Sequence, residues 1–147
     1  MNYLPAPQNT AWRLFLKTHA VLLEKMEQAL KQAKVPELSW YDVLWALEEA
    51  AHNHLRLHEL ADALVLRRSN LTRLIDRMEQ VGLVKREICD SDRRGAFAAI
   101  TQEGLAVRQQ MWQVYSQSIY AHFAQQLSEE QIASLTQVLR ILLKAQS

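Results

Sequence analysis

Apolar residues at three- and four-residue steps run from Trp12 through Phe15, Leu16, Leu22, Leu23, Met26 and Leu30 to Ala33, with His19 in the same stripe. That period is one face of an α-helix, and it runs on until Val35-Pro36 stops it. The spacing predicts a long amphipathic helix over about 10–34. Such a helix must bury its stripe, so the remaining chain has to offer apolar faces of its own. Only three glycines and three prolines stand in 147 residues, too few turn-formers for an all-β fold, and a mainly α class is expected. The length fits a single chain, 1–147, that buries roughly two-thirds of its unfolded surface without disulfides or structural metal.

Further along, Ser39 begins SWYDVLWALEEA, where Asp42 three residues on resembles a capping box and a helix runs to about 51. LHELADAL then makes a two-turn helix. In RSNLTRLIDRMEQV, residues 68–81, Leu71, Leu74, Ile75 and Met78 share one face, and Gly82 suits the C-terminal cap. LVKREI and AFAAI, about 83–88 and 96–100, are the only plausible strands, with CDSDRRG as a hairpin tip. Thr101 caps a helix to about 126, and Ser128 with Gln131 forms a capping box that opens the last one. A short helix, a tight turn, a helix with a basic outer face and a two-stranded hairpin together describe a winged helix-turn-helix.

Charge is placed unevenly. Residues 67–94 hold eight Lys or Arg against five Asp or Glu, a net +3, within a chain of net charge +1. A basic segment in an otherwise slightly acidic chain points toward a phosphate backbone. On the helix over 68–81, Ser69, Asn70, Thr72, Arg73 and Arg77 are the short polar and bidentate side chains that major-groove reading requires, with Arg68 beside them and Arg86 on the following strand. The residues alone leave a second reading open: a solvated face with Asp76 paired to Arg73 or Arg77. At the hairpin tip, Asp92 and Arg94 lie two apart on one side of an extended segment, so the carboxylate can hold the guanidinium for entry into a minor groove; the residues alone also fit a polar turn with a weak surface ion pair.

Over about residues 39–104 the chain resembles the MarR family of bacterial transcription regulators. LSWYDVLWAL is similar to the family's second helix, ELADAL to its first helix-turn-helix element, and SNLTRLIDRMEQVGLVKR to its recognition helix and following strand. DRRGAFAAITQEG is similar to the family's wing signature, Asp-x-Arg followed by Leu-Thr-x-x-Gly, with Ile100 in place of leucine. The turn Leu64-Val65-Leu66 departs from the pattern by lacking the common glycine. The resemblance implies a winged helix-turn-helix region over 39–100 and dimerisation helices over 8–36 and 101–147. It also implies a homodimer on duplex DNA with a pseudo-palindromic operator, acting as a repressor released by a small aromatic or phenolic ligand. Carried over by position, Asp92 and Arg94 become the wing pair, and Arg68, Ser69, Asn70, Thr72, Arg73, Arg77 and Arg86 the remaining DNA contacts. Trp12, His19, Trp40, Tyr41, Trp45 and Trp112 are the candidates for lining a ligand, each also a candidate for plain core packing.

Rival readings are an interaction module that kept the winged helix without DNA binding, and a redox-sensing regulator using Cys89, whose thiol pKa Lys85 and Arg86 would lower. His54 and His58 have the i, i+4 spacing of a helical metal site, with His52 and Glu59 nearby, but they straddle a helix break and no metal is expected. No cofactor is expected either, and no Ser/His/Asp order, Gly-rich phosphate loop or carboxylate pair marks an enzyme. With no apolar run of about 18 residues and no signal segment, a cytoplasmic protein away from the membrane is expected.

Overall fold

In the computed structural model, which describes residues 3–66, 69–88 and 96–147, the first helix, α1, spans Ala6–Gln32. It begins before the expected residue 10 because Pro7 sits in the first turn, where its missing amide costs nothing, and Asn9 N already donates to Pro5 O at 3.0 Å. The helix closes on Lys34, whose φ of 59° lies in the left-handed region, ahead of Pro36. Helix α2, Leu38–Glu49, is followed by a short 3-10 turn at Ala51–Asn53. Then come α3, Leu57–Ala63, α4, Leu71–Gln80, and α5, Gln102–His122. After a second 3-10 turn, Ala124–Gln126, α6 covers Glu129–Ala145.

The expected hairpin gains a third strand. The sequence pattern offers only LVKREI and AFAAI as strands, yet His54–Arg56 forms β1. With β2, Val84–Ile88, and β3, Ala96–Ile100, it builds an antiparallel sheet in the order β1-β3-β2. The pairings His54↔Ala99 and Arg56↔Phe97 join segments more than forty residues apart in sequence, which no local pattern reveals. Ile100↔Val84 and Ala96↔Ile88 close the other side.

The chain divides into two compact units, Met1–Ala29 with Tyr115–Ser147, and Leu30–Val114. In the second, Val43, Leu44 and Leu47 of α2, Leu60 of α3, and Leu74, Ile75 and Met78 of α4 are fully buried together with Val84 and Ala98 of the sheet. The first unit contains most of α1, the end of α5, and α6. Its capping box is the expected one: Gln131 N donates to Ser128 Oγ at 3.1 Å and Ser128 N to Gln131 Oε1 at 2.9 Å.

Two glycines fix the base of the sheet. Gly82 ends α4 with φ 81°, as a left-handed cap requires. A Cβ on Gly104 would stand 2.2 Å from the Leu83 carbonyl oxygen and 2.8 Å from Ile100 Cγ1, so only glycine lets α5 begin this close to the turn. Thr101 Oγ1 donates to Gly82 O at 2.6 Å and accepts from Gly104 N at 3.0 Å, tying that turn to the start of α5. The Ile100-Thr101-x-x-Gly104 motif is thus a clasp between α4, β3 and α5.

Candidate functional site

Helix α4 buries Leu74, Ile75 and Met78 and exposes Thr72, Arg73, Asp76 and Arg77. Its start differs from the expectation: Asn70 is the N-cap, so Ser69 and Asn70 stand exposed ahead of the helix rather than within it. All four polar positions from Ser69 to Arg73 are therefore gathered on the entry to α4 and its first turn.

The three described arginines of the candidate site differ in how they are held. Arg73 is exposed, with no ion pair among the described residues. Arg77 Nη2 lies 3.2 Å from Glu37 Oε1, and its guanidinium sits over the Trp40 ring at 5.9 Å from the centroid. Arg86 is committed elsewhere: Nη2 reaches Asp76 Oδ1 at 2.5 Å, Nη1 reaches Glu79 Oε1 at 3.0 Å, and its backbone amide donates to Glu79 Oε2 at 2.9 Å. The hydrogen bond to Asp76 above all, assisted by the charges of Asp76 and Glu79, holds the Arg86 pKa above its usual value against the opposing effect of burial. Asp76 is thus paired to Arg86, not to Arg73 or Arg77, and Arg86 fastens β2 to α4.

Ser39 and Asp42 do not form the expected capping box. The N-cap of α2 is Glu37, with extended backbone, and Ser39 falls inside the helix, donating to Glu37 Oε1 at 3.3 Å. Asp42, buried, accepts from Val65 N at 3.0 Å and Leu66 N at 2.7 Å. A carboxylate accepting two amides satisfies the turn that leads to α4, where the glycine common in the family pattern is lacking. Because these partners lie 23 and 24 residues away, the local reading chose the nearer motif.

Among the ligand candidates, Tyr41 and Trp112 stack at 6.0 Å with 20° between their planes. Burial pushes the Tyr41 phenol above its ordinary range, while a hydrogen bond from Arg108 draws it back. Arg108 is in turn ion-paired to Glu48, with Nη2 3.2 Å from Oε1 and Nε also against Oε2. Neither Glu48 nor Arg108 was found from sequence, since sixty residues separate them. Trp45 is exposed on α2, Trp40 lies against Arg77, and Trp12 and His19 are exposed on α1.

Arg68, Cys89, Asp92 and Arg94, with Arg67 and Arg93, lie outside the described residues. Of the histidines, His54 Nδ1 is 3.3 Å from Glu87 Oε2 and its ring is 4.6 Å from that of Phe97. His54 belongs to β1 and His58 to α3, so the i, i+4 spacing spans two elements. No cluster of three or more metal-ligating side chains occurs among the described residues. No helix there is long and apolar enough to cross a membrane.

Comparison with known proteins places the chain in a family. The model of the MarR family matches residues 36–95. The transcriptional activatory protein BadR of Rhodopseudomonas palustris is 32% identical over 147 residues, covering 97% of this chain and 82% of BadR. The crystal structure of AbsC, a MarR family transcriptional regulator from Streptomyces coelicolor, superposes with a TM-score of 0.87 at 30% identity, covering 99% of this chain and 97% of AbsC. Sco3205 from the same organism, a MarR family transcriptional regulator solved in complex with DNA, gives 0.89 at 29% identity, covering 99% of this chain and 91% of Sco3205. The chain belongs to the MarR family of transcription regulators, proteins that are not enzymes.

Proposed function

We propose that this regulator binds duplex DNA as a homodimer on a pseudo-palindromic operator, represses transcription there, and is released by a small aromatic or phenolic ligand. The observation that carries the reading is the set of exposed polar residues at the entry to α4, Ser69 and Asn70, and on its outer face, Thr72, Arg73 and Arg77, in a chain 29% identical to Sco3205, which was solved with DNA. In this reading α4 enters the major groove and Arg94, oriented by Asp92, enters the minor groove. Arg86 serves as a positioning residue through its bonds to Asp76 and Glu79 rather than as a primary phosphate contact. Arg68 adds a phosphate contact beside them.

Dimerisation is supported by the apolar side chains that α1 and α6 leave exposed, among them Phe15, Leu16, Ile141 and Leu142. Release by an aromatic ligand is supported by the Tyr41–Trp112 stack, whose Trp112 is 43% exposed, and by exposed Trp45 nearby on α2. An activator reading has one observation in its favour: BadR, similar over nearly the whole chain, is named an activatory protein.

Selection of bound sequences from random duplex DNA tests the reading. A two-fold symmetric motif is expected, and recovery of no motif would favour an interaction module. Arg94→Ala should weaken operator binding by about 1–3 kcal/mol. A promoter reporter carrying the selected motif separates the two signs of regulation: deleting the protein raises expression under repression and lowers it under activation.

A further inference from the structure

The pairing of Arg77 has a consequence for DNA affinity, and it rests on the DNA-binding reading above. Arg77 is one α-helical turn beyond Arg73 on the exposed face of α4, so both cations point outward from the same side. They are not equally available. Glu37 Oε1 takes one bond from Arg77 Nη2 at 3.2 Å and another from Ser39 Oγ at 3.3 Å, while Trp40 supports the guanidinium from below at 5.9 Å. The Arg77 and Glu37 side chains are 56% and 49% exposed, so the pair is weak enough to exchange its anion for another.

We infer that Glu37 is an affinity-tuning residue: its carboxylate occupies the anion position of Arg77, and a DNA backbone phosphate must displace it. A carboxylate at the edge of a DNA-reading face has two effects of the same sign. It neutralises one cation before DNA arrives, and it repels the phosphate that replaces it. The Trp40 ring keeps the guanidinium in place through the exchange by cation–π attraction, so Arg77 changes its partner without changing its position. The wild-type protein therefore binds more weakly, and with less salt dependence, than the number of its arginines on α4 would give.

Glu37→Gln keeps the shape and removes the charge. It should bind the selected operator roughly two- to fivefold more tightly at low salt, the range expected for release of an exposed ion pair. Its log affinity against log salt should be steeper by about one unit, as for one further phosphate neutralised. Arg77→Ala should weaken binding, and Glu37→Gln placed on Arg77→Ala should gain clearly less than it does on the wild type, keeping only the part due to repulsion of the phosphate. The inference is overturned if Glu37→Gln binds no more tightly than wild type, or if its gain persists undiminished in the Arg77→Ala background, which would make it a general charge effect. If wild type itself selects and binds no duplex, the DNA-binding reading fails and takes this inference with it; a binding wild type with an unaltered Glu37→Gln variant removes this inference alone.

Discussion

The two units of the chain treat their apolar residues in opposite ways. Among the described residues, every buried apolar side chain except Met26 belongs to Leu30–Val114. The unit made of Met1–Ala29 and Tyr115–Ser147 instead holds Trp12, Leu14, Phe15, Leu16, Val21, Tyr120, Val138, Ile141, Leu142 and Leu143 exposed. One unit closes a core from its own helices and sheet. The other leaves apolar side chains of its helices exposed, the kind of surface that a second copy would cover in the proposed homodimer.

That contrast can be broken most severely at Leu47, buried in α2. Leu47→Ala should cost about 2–5 kcal/mol of unfolding free energy in denaturant titration. The loss should not depend on protein concentration; a concentration-dependent loss would mean that the second unit does not hold its own core. Gly104→Ala tests the clasp at the base of the sheet. Its Cβ must push the Leu83 carbonyl or the start of α5 aside, and a destabilisation of roughly 1–3 kcal/mol is expected from overpacking. A wild-type melting temperature would contradict the close approach.

Asp42→Ala leaves the amides of Val65 and Leu66 without their acceptor and should cost about 1–3 kcal/mol. Operator binding should fall as well, because the turn leading into α4 is no longer held. In the other unit, Leu143→Ala removes a side chain that is 73% exposed in the single chain. In single chains at high dilution its effect should be below about 0.5 kcal/mol, the size usual for surface sites. If a partner covers this face, the loss should grow as concentration rises and the second copy docks, since oligomer stability follows mass action. A loss that stays flat across concentration would place Leu143 outside any interface.

What the sequence made legible follows the range of the interactions. The Ser128–Gln131 box, the Gly82 cap and the apolar stripe of α4 depend on neighbours within a few residues, and each reads directly from spacing. Asp42 misled because its motif with Ser39 is local while its actual partners are a turn two elements later. Strand β1 escaped for the same reason: a three-residue segment gains its identity only from β3. Arg86 carried the right charge for DNA, but Asp76 and Glu79 of α4 claim it, and only the placement of the strand on the helix reveals this. The polar residues of α4 were legible as a set, whereas Glu37, which alters the availability of Arg77, was hidden in an ordinary helix start.

In the proposed function one unit reads DNA and the other joins two copies, so that two such units engage one operator. Light scattering of the complex with the selected duplex tests it most directly, by giving the number of chains per DNA. Two chains per duplex are expected, with a homodimer already present in the free protein at micromolar concentration. One chain per duplex, bound with undiminished affinity, would contradict it.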